Sequence, residues 1–186
     1  MSARHPTRDL SLAAMFAALI SIGAVIAIPM VGPVPLTLQV LFVMLAGLLL
    51  GARLAALAAT GYLLIGLVAP VYAGGSSGVG ALLGPAGGYL FGFVLGAWLV
   101  GALAERLAPQ TVWGLAAVAL AGLLPIYALG AAWLAWQVHA SSVQVVVWTG
   151  VLQFVPGDLA KALMAGLAAR ALISLPLGLP VPVRPR

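Results

Sequence analysis

The chain is 186 residues long, 64% hydrophobic and only 6% charged, with a mean hydropathy of +1.21. A soluble domain carries about 25% charged residues, so no water-facing surface can be made from this composition, and the sequence predicts an all-α polytopic membrane protein. Cysteine is absent, which excludes disulfides and thiolate chemistry; His5 and His139 are too few and too far apart for a metal site; and the +5 net charge comes from arginines scattered at segment ends, a pattern unlike the basic stripe of a nucleic-acid binder.

A hydrocarbon core roughly 30 Å thick takes about 20 apolar residues per span, so six helices fill the chain as one membrane domain over 1–186. The start, from Met1 to Asp9, is basic and lacks a small-residue cleavage site, and it reads as a retained cytoplasmic tail. The first span is expected at about 10–28, closed by Pro29, Gly32, Pro33 and Pro35. The second, at about 36–51, ends on Gly51, and the third, at about 53–71, ends on Pro70. Then follow spans at about 87–104, 111–137 after Pro109, and 156–175. Arg4, Arg8, Arg53, Arg106, Arg170, Arg184 and Arg186 all fall in the tails and the 2-3 and 4-5 connections, and the other connections hold no Lys or Arg. By the positive-inside rule both termini are expected in the cytoplasm.

Two irregular stretches are left on the outer side. Tyr72 to Tyr89 carries seven glycines, which let backbone approach backbone or ligand closely. Residues 140–155, with Trp148, Gln153 and Phe154, are apolar but shorter than a span and suit an interfacial helix or a re-entrant lid. Non-helical backbone at membrane depth is tolerated where it is buried in protein or lines a cavity, so the glycine-rich stretch suggests an occluded pocket.

Chemistry concentrates in Pro156-Gly-Asp-Leu-Ala-Lys161, because Asp158 and Lys161 are the only Asp, Glu, Lys or Arg that this topology keeps off the cytoplasmic side. A charge at the centre of a span costs about 2.5 to 3.5 kcal/mol, less near a helix end, and such groups usually face a cavity or a partner. Spacing of three puts both side chains on one helical face, and the helix dipole favours an acid in the first turn. The plain reading is a helix cap paired with Lys161. The functional reading is a two-part ligand site, the ammonium meeting a ligand carboxylate and the Asp158 carboxylate accepting N–H groups from a urea or amide; the two coexist if ligand replaces the internal pair. Gly78, Gly80 and Gly84 superficially suggest a dinucleotide loop, but the Gly-Lys-Ser/Thr ending and any preceding strand are missing, so no nucleotide or other cofactor is expected. In the first span, Ala13 with Ala17 and Ala14 with Ala18 form small-xxx-small pairs suited to close helix approach, within the chain or between chains.

Taken together, Ile28-Pro29, Val34-Pro-Leu-Thr-Leu-Gln39, Gly47-Leu-Leu-Leu-Gly51, Gly84-Pro-Ala-Gly-Gly-Tyr-Leu-Phe-Gly-Phe93 and the Pro156 to Lys161 run cover nearly the whole chain. In these the sequence resembles the BioY family, the biotin-specific substrate-capture (S) components of bacterial energy-coupling-factor (ECF) vitamin transporters. Ala86 departs from the threonine more usual in that family, which removes a hydroxyl there. The resemblance implies a six-helix protein of the bacterial cytoplasmic (inner) membrane, without enzymatic activity, that binds biotin on the outer side and assembles with a transmembrane coupling (T) subunit and two ATPase subunits. It implies Asp158 and Lys161 as binding residues, with Gln39, Tyr89 and the backbone of Gly84, Gly87 and Gly88 as further contributors, and the helix 1 alanines as the docking surface. An S component for a different vitamin or small carboxylate is the alternative, followed by a small membrane transferase using Asp158, for which only His139 could supply a partner. The outer loops 1-2 and 3-4 are expected to close over the ligand.

Overall fold

The computed structural model of the chain describes residues 6–139, 142–175 and 179–180. Arg4, His5, Arg184 and Arg186 lie outside them. Helix α1 (Pro6–Val25) leads into a strap whose two short strands, β1 (Ala27–Ile28) and β2 (Leu36–Thr37), pair antiparallel with Ala27 opposite Thr37. Helix α2 (Gln39–Gly66) follows, then a 3-10 turn (Ala73–Gly75) and a single-turn helix α3 (Gly78–Leu82). The long helix α4 (Gly87–Leu107) is succeeded by α5 (Val112–Ala121), α6 (Leu123–Gln137), the short α7 (Val143–Val147), a π-helical turn (Trp148–Leu152) and α8 (Val155–Ile173).

Five stretches are long and apolar enough to cross a membrane: Pro6–Val25, Gln39–Gly66, Gly87–Leu107, Val112–Gln137 and Val143–Ile173. The second of these is not one rod. Gln39 and Tyr62 would stand about 35 Å apart along a straight helix at 1.5 Å per residue, yet Gln39 Nε2 lies 2.5 Å from Tyr62 Oη. The chain therefore reverses inside α2, and the residue that reverses it is Gly51, with φ 79° and ψ 175°. That φ is left-handed, where a side chain is costly, and a Cβ there would lie 2.3 Å from Glu105 Oε1. The same oxygen accepts from Ala52 N–H at 2.9 Å, pinning the hairpin tip to the end of α4. Two arms replace one rod, and the five long stretches among the described residues become the six long helical segments expected.

The first arm is hydrophobic all round because it is buried all round: Val43, Met44, Ala46 and Leu48 have no exposed surface. It forms the centre of the bundle, with α1 and α4 against the hairpin, α6 on α4, and α8 against α5 and the hairpin. The rod expected at about 111–137 is present but broken at Gly122. Pro125 has no N–H to return to the carbonyl four residues back, so the ladder is interrupted there. Trp113 and Trp136, both exposed, are separated by about 35 Å of helix at 1.5 Å per residue, a spacing that suits a hydrocarbon core roughly 30 Å thick with an aromatic side chain near each interface.

The remaining boundaries differ modestly from expectation. Helix α1 runs from Pro6 and stops at Val25, since residues 27 and 28 are taken by the strap; the hairpin's second arm stops at Gly66, four residues before Pro70. The stretch expected to be an interfacial helix or lid is α7 and the π turn, which run directly into α8. The hairpin tip, with Arg53, meets Glu105 and Arg106 at one end of the bundle, where α1 begins with Arg8 and α8 ends with Arg170. Strap, glycine-rich stretch and π turn gather at the other.

Candidate ligand-binding site

At the end away from the arginines lies a cavity of about 300 Å³. Its walls come from strap residues 33–37, Gln39 and Val40 of α2, Tyr72, Ala73 and Ser76, then Gly80, Ala81 and Gly84 to Ala86, then Tyr89, Leu90 and Phe93 of α4, Ile126 and Tyr127 of α6, and Phe154, Asp158 and Lys161. The first turns of α2, α4 and α8 are thus used, and the strap, the glycine-rich stretch and α6 supply the rest.

Asp158 is 2% exposed and Lys161 5%. Pro156 in the first turn of α8 suits a helix start, and Asp158 sits where the dipole welcomes an anion. One turn on, Lys161 Nζ donates to Asp158 Oδ1 at 2.6 Å. The other oxygen, Oδ2, accepts from Tyr127 Oη at 2.6 Å. Burial of an ion pair is costly unless its remaining hydrogen-bonding positions are filled, and Tyr127 fills one. The pair of the plain reading is therefore present but the cap is not, since Asp158 lies inside the first turn and the N-cap position, Phe154, has no side-chain cap hydrogen bond; the pair opens onto a cavity, which is the condition the functional reading needs.

The other residues singled out in the sequence fall into two groups. Gln39, Tyr89 and Gly84 line the cavity. The Gln39 amide is held from both sides, its Oε1 accepting from Thr37 Oγ1 at 3.0 Å and its Nε2 donating to Tyr62 Oη. Tyr89 turns its hydroxyl away, to the Gly150 carbonyl at 2.7 Å, and offers the cavity its ring, packed edge-on against Phe154. Gly87 and Gly88 instead serve packing: a Cβ on Gly87 would lie 2.0 Å from the Leu82 carbonyl and one on Gly88 would lie 2.3 Å from Trp133 Cβ, so their bareness brings α4 against α3 and α6.

Two fastenings hold the outer elements over the cavity. Gln153 grips the strap tip as a strand partner would, accepting from Val31 N–H at 3.1 Å and donating to the Val31 carbonyl at 2.9 Å. Trp133 Nε1 donates to the Gly84 carbonyl at 2.9 Å, and Gln137 donates to that of Leu83. Tyr72, buried beneath the glycine-rich stretch, donates to the Leu63 carbonyl at 2.7 Å, and burial raises its phenol above the ordinary value, so it stays a neutral donor.

The BioY family model matches residues 1–178. The chain belongs to the BioY family. A protein named biotin transporter BioY from Thermotoga maritima is 45% identical over 169 residues, 90% of this chain and 97% of that one. Another of the same name, from Rhizobium etli, is 38% identical over 177 residues, 90% and 94% of the two chains. The 2.1 Å crystal structure of the S-component for biotin from an ECF-type ABC transporter superposes with a TM-score of 0.85 at 29% identity, covering 94% of this chain and 95% of that one. In this BioY chain the sequence reading passed over Tyr127, whose partner is 31 residues away. It also passed over Phe93 and Ile126, whose apolar side chains are indistinguishable in sequence from core.

Proposed function

We propose that this chain is the biotin-capturing S component of an ECF-type uptake transporter in a cytoplasmic membrane. The observation that carries the reading is a buried, directly bonded acid and base opening onto a largely apolar cavity, in a member of the BioY family. Such a component binds and releases; turnover is left to its partners.

Biotin offers a ureido ring with a carbonyl acceptor flanked by N–H donors, an apolar thiophane ring and a valerate carboxylate. The sequence alone suggests sending Lys161 to the carboxylate and Asp158 to the ureido group. With 2.6 Å between Nζ and Oδ1, both groups meet the same end of a ligand longer than that, and adjacent donor and acceptor match the ureido group: Lys161 gives to its carbonyl and Asp158 takes from an N–H. Phe93, Tyr89 and Phe154 then flank the apolar ring.

The arginines at the opposite end support a cavity that faces outward with both termini in the cytoplasm. Of the small-residue pairs, Ala13 and Ala17 are buried, Ala17 against Gly61, whereas Ala14 and Ala18 are exposed. The exposed pair is the surface for the T subunit, which with two ATPase subunits supplies the energy. Gating falls to the strap and the glycine-rich stretch, with Gln153 as the fastening to be undone.

Equilibrium binding to the purified protein tests the assignment. Wild type is expected to bind biotin, and Asp158→Asn and Lys161→Ala each to lose at least about tenfold in affinity, since hydrogen bonds to charged groups contribute about 1.5–3 kcal/mol. Wild type that ignores biotin would overturn the function; binding that survives both substitutions would move the site.

A further inference from the structure

The cavity carries no net charge of its own. Among the described residues that line it, Asp158 and Lys161 alone are charged, one of each sign, and they are bonded to each other at 2.6 Å. The described arginines, Arg8, Arg53, Arg106 and Arg170, stand at the other end of the bundle, beyond one Debye length if the two ends are a membrane thickness apart. Three long helices, α2, α4 and α8, and the single-turn α3 begin near the cavity, and helix starts attract anions. At the three long helices several of the leading N–H groups are already engaged: Gln39 N–H on Thr37 Oγ1, Gly87 N–H on the Gly84 carbonyl, Tyr89 and Leu90 N–H on the Ala86 carbonyl, and Asp158 N–H on the Phe154 carbonyl. The dipole of α8 is further offset by Asp158 itself.

A site so balanced rewards a matched donor and acceptor, not a negative charge. Resting on the biotin reading above, we propose that this chain does not select for the ionised carboxylate of its ligand, so that neutral carboxyl derivatives, biotin amide first, are ligands in their own right. The amide replaces one oxygen of the carboxylate with NH2 at nearly constant shape, so it changes the charge and little else. With Lys161 committed to the ureido end, the valerate end is left with neutral groups of the mouth, Ser76 and the backbone of Gly80, Ala81 and Gly84 to Ala86.

The test is displacement of labelled biotin from the purified wild-type protein by unlabelled biotin and by biotin amide, needing no variant. An amide weaker than biotin by less than about tenfold is the expected result, because a lost charge-assisted contact costs more than that. An amide weaker by more than about tenfold would mean that a cation or a set of free N–H groups holds the carboxylate, and would overturn the proposal. Failure to bind biotin at all is a different result, read in the same assay without the amide, and it would sink the functional reading instead.

Discussion

At the scale of single residues, the structure explains why Asp158 and Lys161 can be buried together and still be available. Each carboxylate oxygen has one partner, Lys161 on Oδ1 and Tyr127 on Oδ2, which leaves lone pairs for a ligand donor, and the ammonium has hydrogens to spare. Tyr127 fixes the carboxylate by holding it from the side opposite the lysine. Removing its hydroxyl in Tyr127→Phe leaves the ring and the fold in place but frees one oxygen; a hydrogen bond to a charged group contributes about 1.5–3 kcal/mol, and biotin affinity is expected to fall about tenfold or more. Titration calorimetry on the variant measures it, with an unchanged affinity indicating that Tyr127 is merely a neighbour. The charged pair was legible in the sequence because ionised groups are rare in such a chain. Tyr127 was not, since a phenol among apolar residues looks the same whether it serves a ligand site, the core or the interface. The Gly84 to Tyr89 run was legible as special but not divisible: only backbone geometry separates Gly84, in the cavity wall, from Gly87 and Gly88, in helix packing.

At the scale of elements, hydropathy located every span, because the bilayer imposes a length that the sequence must meet. It could not locate the interruptions that come from backbone geometry: the break at Gly122 ahead of Pro125, and the π turn that joins α7 to α8. The hairpin in α2 was anticipated from Gly51, and it depends on that residue. Gly51→Val would place a branched side chain at φ 79° and on Glu105, and strain of this kind costs of order 1–3 kcal/mol. A lowered melting temperature in detergent is the expected outcome, and a melting curve like that of wild type would show that the tip can rearrange freely. The strap presents the same lesson from the other side. Its prolines and Gly32 marked a turn, but nothing in the sequence joined Val31 to Gln153, a contact made across 122 residues.

At the scale of the whole molecule, the two ends are different surfaces: charged residues and the hairpin tip at one, cavity and closing elements at the other. The flank of α1 connects them. Its inner alanines fix it to the hairpin and its outer alanines are free, so bulk added outside should block a partner without disturbing the cavity. Ala14→Trp and Ala18→Trp are expected to keep biotin affinity within about threefold, and to abolish co-purification with the coupling subunit. Loss of binding in these variants would instead place α1 in the ligand site.

Gly51 also decides a matter of parity. Counted by apolar length alone the described residues hold five candidate crossings, an odd number, and an odd number of crossings carries a chain from one compartment to the other. One left-handed glycine turns the Gln39–Gly66 stretch into two arms and makes that count even, and an even number of crossings returns a chain to the compartment it left, so that a single backbone torsion sets the parity.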